Sequence, residues 1–219
     1  MPINPVLSIP SYGYKLSKKV HLIGIVGHAH TGKDSIAEYL TKSITADVYI
    51  HAFAWFLKAA AAEATGIPFY EFHDVVGKEL KHPFWGVSPR EFAQYIGTEM
   101  FRALSEDFWI QRMIGHIDDH LAMPAGWGSY EEGDVIIIPD VRFTNEVQFI
   151  QANRGKVIQL TRPGKSGVVG ISGHASEHGI DLSQVEPLYH ISNHGTLEEL
   201  YLEVDKFIDT QLAHLMMEF

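Results

Sequence analysis

Gly27 and Gly32 bracket four residues, His28, Ala29, His30 and Thr31, and are followed at once by Lys33, so residues 27–33 read G-x-x-x-x-G-K. Two glycines at that spacing let successive backbone N–H groups turn inward around an anion. A helix opening at Lys33 would add the positive end of its dipole. The Lys33 ammonium then supplies a mobile cation for the outer phosphates of a bound polyphosphate. The frame departs from the common form at one place, Asp34, where a hydroxyl residue normally offers its oxygen to a metal ion. Two arrangements remain open: Asp34 binds Mg²⁺ directly or through one of its waters, or Ser35 provides the hydroxyl. Such a loop makes its contacts through the main chain of residues 27–35, so the imidazoles of His28 and His30 are expected to point outward.

Three further groups could do chemistry. In PREFAQYIGTEMFRAL, Arg90, Gln94, Thr98 and Arg102 recur at steps of four and so line one side of a helix, with Gly97 beside them. Phe92, Ile96, Met100 and Ala103 are left for the core. Mid-helix glycine costs about 1 kcal/mol relative to alanine, which points to something approaching the backbone closely at Gly97. Phe108 and Trp109, just beyond, either stack on a base or fill the core. In DVIIIPDVRFTNEV, Asp140 falls at the carboxyl end of an apolar run, with Arg142 and Glu146 two and six residues on. That strand edge is where open α/β sheets place ligands. There Asp140 could hold metal-bound water or accept a proton, and Arg142 could face a phosphate with Glu146 orienting it. Finally, Arg162 and Lys165 stand at the root of a segment with five glycines between 164 and 179, joined by His174 and Glu177. A cation-bearing cover of this kind, over about 162–180, would exclude water during phosphoryl transfer.

The elements that must position these groups are legible as apolar runs at 20–27, 47–54, 134–140, 156–162 and 188–193, each followed or preceded by helical periodicity. Continuous apolar strands alternating with helices predict an α/β fold, a parallel sheet covered on both faces. Ser88-Pro89-Arg90-Glu91 and Thr196-Leu197-Glu198-Glu199 each have the form of a capping box at a helix start, the second opening an amphipathic closing helix. The pattern is weakest over 66–88. The proline-bearing residues 1–19 suggest an extended surface arm before a single domain at 20–219.

Of 219 residues, 17 are Lys or Arg and 27 Asp or Glu, for a net charge of −10. That balance disfavours a sequence-independent grip on a nucleic acid polymer, which needs a broad basic surface, but leaves room for small anions held by a few placed cations. Cysteine is absent, so neither disulfides nor thiolate metal sites arise, and a reducing compartment such as the cytoplasm is expected. No apolar stretch reaches the length of a membrane span, and the start lacks the order of a signal peptide.

Taken together, GKD[ST], PREFAQYIGTEMFR followed by FWI, PDVRFTNE, TRPG, HASEHG and ISNHGTLEEL, in that order over residues 21–208, resemble the deoxynucleoside monophosphate kinases of tailed bacteriophages. The resemblance implies a P-loop kinase fold with five parallel strands, a helical acceptor-binding region over about 55–125 and a glycine-rich lid. It implies ATP as donor, Mg²⁺ as cofactor and a deoxynucleoside 5′-monophosphate as acceptor. It also places such a protein in the host cytoplasm and is the sole basis for expecting a homodimer. Carried over by motif, Gly27, Gly32, Lys33, Asp34 and Ser35 would take the donor phosphates and metal. Arg90, Gln94, Gly97 and Thr98 would shape the acceptor pocket, with Trp109 near the base or supporting that wall. Asp140, Arg142 and Glu146 would hold the acceptor's phosphate or sugar, and Arg162 would clamp the transferred group. The turn Asn193–Thr196, with Gly195, would lie near the donor's adenine. The competing readings are another P-loop kinase, acting on a nucleoside or on dephospho-coenzyme A, and a nucleotide-binding switch. The absence of an N/T-K-x-D element at a strand end weighs against the switch.

Overall fold

In the computed structural model, which describes residues 13–164, 180–186 and 188–213, each of the five apolar runs contains a strand. They are β1 (His21–Val26), β2 (Val48–Ile50), β3 (Val135–Val141), β4 (Lys156–Thr161) and β5 (Tyr189–Ser192). Every pairing is parallel and the order across the sheet is β2-β3-β1-β4-β5. Successive side chains of a strand face opposite ways, and here both faces are apolar because helices cover both. Leu22, Ile136, Ile138 and Val157 pack beneath α2 (Phe53–Thr65), α4 (Phe108–Ala122) and α5 (Thr144–Ala152). Ile23, Ile25, Val135, Ile137, Ile158 and Ile191 pack beneath α1 (Lys33–Ser43) and α6 (Leu197–Gln211). Leu200, Val204, Phe207 and Ile208 of α6 are all buried, each contributing about 1.5–3 kcal/mol relative to exposure. This is the P-loop kinase core expected from the sequence, with β1 central and the loop after it at the carboxyl edge of the sheet.

Two local departures shape that edge. The run at 47–54 is a strand only as far as Ile50, because Phe53 already begins α2. The second departure lies in β3, where Gly24 pairs with Ile138 but Val26 pairs with Val141, so one extra residue is present on β3 at this point. Pro139 lies within it, and a bulge is where a strand tolerates a residue that cannot donate. The bulge breaks the alternation, so that Val141 rather than Asp140 rejoins the layer of Ile136 and Ile138.

Both capping boxes form, at Ser88 and at Thr196. Ser88 opens α3 (Pro89–Gln94), which runs without a break into a π-helix, Tyr95–Arg102. The wider turn corrects one expectation: Ile96 is buried, but Met100 is half-exposed and Ala103 is exposed. Phe101 instead stacks on Phe108, with ring centroids 4.5 Å apart. The 66–88 stretch forms two short 3₁₀ turns, Phe69–Phe72 and Gly77–Glu79, with Phe72 and Ile67 in a small separate core beside Ala61 and Ile96. The described end of the arm is fastened to the surface: the Tyr14 hydroxyl donates to Asp107 at 2.8 Å and the Leu16 amide to Asn153 at 3.0 Å. Lys165, His174, Glu177 and almost all of the expected cover lie outside the described residues, as does the arm before residue 13. Among the described residues no helix is long and apolar enough to cross a membrane.

Candidate active site

The loop between β1 and α1 has the shape that its glycines predict. At Gly27 a Cβ would sit 2.6 Å from the Leu160 carbonyl and 3.0 Å from the Thr31 hydroxyl, and Gly32 has φ of 108°, so neither position accommodates a side chain without strain. The Lys33 ammonium donates to the carbonyls of Gly27 and His28, each at 2.7 Å. Thr31 is buried and its hydroxyl donates to the His28 carbonyl at 2.9 Å. The loop therefore holds its curvature through bonds of its own, and the first amides of α1, which have no acceptor within the helix, are available to an anion. His28 and His30 are exposed, as expected; His30 adopts φ of 61°. Asp34 is exposed in the first turn of α1 and Ser35 is half-buried behind it.

At the carboxyl ends of β1 and β3 this loop opens into a cavity of about 460 Å³. It gathers Ala29, His30, Lys33 and Asp34 from the loop and α1, Arg90, Gln94, Gly97, Thr98 and Arg102 from α3 and the π-helix, Trp109 from α4, and Asp140, Arg142 and Glu146 from β3 and α5. The four-step stripe thus survives the change of helix type and faces the same space as the strand end. Six Lys or Arg residues and three Asp or Glu residues line it, in a chain whose net charge is −10. Basic groups converge on this one place, which suits a ligand carrying several negative charges.

Asp140 works as a cap. Its two carboxylate oxygens accept from the amides of Phe53 at 3.0 Å and Ala54 at 2.8 Å, the first turn of α2. Ala52, the residue before that helix, has no side chain able to do this. Burial pushes the Asp140 carboxyl above its ordinary range, against the pull of the Ala54 amide, Arg142, the Phe53 amide and Lys58. Glu146 is the other half of the strand end: it accepts from the Arg142 amide at 2.8 Å and the Phe143 amide at 3.1 Å, fixing the turn into α5. Burial pushes Glu146 up to about 7, with Asp140 adding to the rise and the two amides and Arg102 opposing it. Its second oxygen lies 4.0 Å from Arg102, whose guanidinium stacks 3.7 Å over the Phe143 ring.

Other expected site residues are placed differently. Gly97 is buried, but a Cβ there would meet both methyls of Leu57 at 3.3 Å, so helix packing as well as the cavity requires the small residue. Trp109 is only 5% exposed and its indole N–H donates to the Gly97 carbonyl at 3.0 Å, which ties it to the cavity wall that it helps to line. Asn193 is buried and donates to the Thr31 carbonyl at 2.8 Å; it is a strut behind the phosphate loop, away from the cavity lining. Thr196 caps α6 and Gly195 is exposed beside it. Arg162 is exposed and is not among the residues that line the cavity.

The sequence reading missed three cationic or titratable members of the lining, Lys58, His73 and Lys78. Lys58 had left a signal, being the one Lys, Arg, Asp or Glu between Asp47 and Glu63 in an otherwise apolar helix. His73 follows the first 3₁₀ turn and Lys78 lies in the second, a stretch where no periodicity was available to read.

A family model described as deoxynucleotide monophosphate kinase matches residues 68–204. The chain belongs to that family. The kinase is also similar to a candidate deoxynucleotide monophosphate kinase of Acanthamoeba polyphaga mimivirus, 28% identical over 198 residues that cover 86% of this chain and 96% of the relative. A solved structure of a candidate kinase from Chloroflexus aurantiacus aligns with 90% of the chain and 98% of its own length at a TM-score of 0.44 and 12% identity. The family match takes in the wall built by α3, the π-helix and α4, and the ends of β3, β4 and β5, but begins after Lys33 and Lys58. The protein is a nucleotide kinase.

Proposed function

We propose that this kinase transfers the terminal phosphoryl group of ATP to a deoxynucleoside 5′-monophosphate, giving ADP and the deoxynucleoside diphosphate. One observation carries the reading: Lys33 of the phosphate loop and the Arg90, Arg102 and Arg142 guanidiniums line a single cavity. Two phosphorylated molecules brought into that space can meet end to end. An acceptor phosphate oxygen then forms its bond to the terminal phosphorus as the bond to the ADP oxygen breaks. Near neutral pH the acceptor oxygen already carries charge, so no side chain need act as nucleophile, and alignment plus neutralisation of charge supply the rate.

In this reading, loop amides and Lys33 hold the donor's phosphates. Asp34, with Ser35 behind it, would hold Mg²⁺ largely through its waters; among the described residues no group of three or more His, Asp or Glu is arranged to cage a metal, which suits an ion bound by one or two carboxylates and substrate phosphates. The ion would supply neutralising charge between donor oxygens. Asp140 and Glu146 serve chiefly to orient, the first by seating the start of α2 and the second by shaping the turn that presents Arg142. Arg162 would clamp the transferred group.

The decisive experiment is a panel of the four deoxy- and four ribonucleoside monophosphates with ATP and magnesium, read as ADP and diphosphate formed, with a nucleoside and dephospho-coenzyme A as the competing acceptors. Turnover of deoxynucleoside monophosphates above all others is expected. Turnover confined to the nucleoside or to dephospho-coenzyme A, or hydrolysis of ATP indifferent to every acceptor, would overturn the proposal.

A further inference from the structure

The described end of the arm reaches the cavity wall through a chain of hydrogen bonds. The Arg102 guanidinium, part of the cavity lining, makes one hydrogen bond among the described residues: its Nη2 donates to the Asn145 side-chain oxygen at 3.4 Å. Its Nη1 is shut in without a hydrogen bond, 4.0 Å from Glu146, and its face rests on the Phe143 ring. Asn145 therefore decides where this planar group points. The Asn145 amide nitrogen is itself committed twice, to the Glu106 carbonyl at 3.0 Å and to the Asp107 carboxylate at 2.8 Å, which leaves its oxygen turned to Arg102. Asp107 stands at the N-cap of α4, where a carboxylate usually accepts from the first amides of its own helix, yet its side chain makes no such bond. One carboxylate oxygen accepts instead from both Asn145 and the Tyr14 hydroxyl, at 2.8 Å each. Burial, then the bond to Asp107, push Tyr14 up to about 12, so the phenol stays a donor at neutral pH.

We propose that the arm belongs to the acceptor-binding machinery: Tyr14, Asp107 and Asn145 are positioning residues that together hold Arg102 at the cavity wall. The inference rests on the proposed function for the nature of the acceptor. The arm is built to keep this relay in register, because it fastens to both helices that carry it. The Ser17 amide and hydroxyl donate to Asp118 of α4 at 2.9 and 2.7 Å, and the Leu16 amide donates at 3.0 Å to Asn153, at the end of α5. Asp107 begins the first of those helices and Asn145 lies in the first turn of the second, so a strap across the pair fixes the gap that their hydrogen bond spans. Burial disfavours the Arg102 charge, while Glu146, Glu106 and Asp107 oppose that effect. The groups that aim the cation thus also supply the negative charge that keeps it there.

The test is equilibrium binding of each deoxynucleoside monophosphate by calorimetry without ATP, alongside KM for both substrates, in the full chain and in Tyr14→Phe, Asn145→Ala, Arg102→Lys and the double variant Tyr14→Phe/Arg102→Lys. Tyr14→Phe keeps the ring and deletes only the hydroxyl; it should raise acceptor Kd and KM about 3- to 10-fold with KM for ATP unchanged. Asn145→Ala and Arg102→Lys should each raise them about 10-fold. In the Arg102→Lys background the Tyr14 substitution should add nothing, a non-additivity that a merely structural strap would not give. Ser17→Ala loosens the arm outside the relay and should leave acceptor affinity as it is. Unaltered acceptor affinity in Tyr14→Phe or in Arg102→Lys, an equal loss of ATP affinity, or a Tyr14 effect undiminished beside Lys at 102 would overturn the inference. Should Asn145→Ala fail to give a cooperative melt, the Tyr14 and Arg102 cycle decides. Because binding is read without turnover, a wild type that binds monophosphates but phosphorylates none would sink the proposed reaction and leave the relay to be judged by Kd.

Discussion

Asn193 illustrates how a residue's task can be invisible along the chain and plain in space. It is 162 positions from Thr31, yet its side-chain amide closes on the Thr31 carbonyl at 2.8 Å, with both groups buried. Gly27, Gly32 and Lys33 were legible because the loop's chemistry is local, a matter of spacing over seven residues. The strut was not, since it depends on β5 arriving beside β4. Asn193→Ala strands a buried carbonyl, which costs about 1–3 kcal/mol. The expected outcome is a lower melting temperature and a raised KM for ATP with little change in KM for the acceptor, measured by varying each substrate in turn. An equal rise in both would show that the loop does not depend on this bond. Asp140 has the same lesson in milder form: its position at a strand end was readable, but its hold on the amides of Phe53 and Ala54 required knowing that α2 starts there.

At the scale of elements, the five strands and both capping boxes were written in hydrophobic runs and in the Ser/Thr-x-x-Glu signature, which are near-neighbour effects. The π-helix was not, because nothing in an i+4 count distinguishes it from an α-helix until its neighbours are known; such segments are frequent at functional sites. Its carbonyl at Gly97 receives the Trp109 indole, and its smallest residue meets Leu57 of α2. Adding one methyl at 97 must push Leu57, which borders the cavity and can yield in that direction. Gly97→Ala is therefore expected to change stability by no more than about 1 kcal/mol, since the gain in helix propensity offsets the crowding. It should nevertheless raise the acceptor KM by narrowing the pocket. The double variant Gly97→Ala/Leu57→Ala should regain acceptor binding, and a double-mutant cycle on KM measures the coupling; strictly additive effects would remove Leu57 from the explanation.

For the whole molecule, net charge and composition correctly marked a chain suited to small anions, but said nothing of how six of its cations would meet in one hollow. Nor did they mark the second titrating region, away from that hollow. His51 bonds the Tyr130 hydroxyl and packs edge-on to His116, with centroids 4.7 Å apart; His116 packs on His120, and His120 stacks on Tyr130. Burial, then His116 and His120, lower His51 from 6.5 to about 4. A base whose folded pKa is depressed binds its proton more tightly when unfolded, so its contribution is intact above pH 6.5 and is lost as pH falls toward 4. After screening by solvent this amounts to about 2 kcal/mol. Glu146, raised to about 7, has the opposite sign and favours the fold increasingly as pH falls from 7 toward 4.5. Urea midpoints at pH 7.5, 6 and 5 should therefore show a shallower acid loss in His51→Asn than in wild type, and a steeper one in Glu146→Gln. Matching slopes in all three proteins would mean that neither group governs acid stability.

The extra residue in β3 bears on how relatives can be compared. It acts as a half-period phase shift, delivering Val141 to the apolar layer and releasing Asp140 toward the first turn of α2. A homologue whose third strand pairs without interruption would have to carry its acid immediately after the residue equivalent to Ile138. Matching letters column by column would then declare the group missing while space still held it.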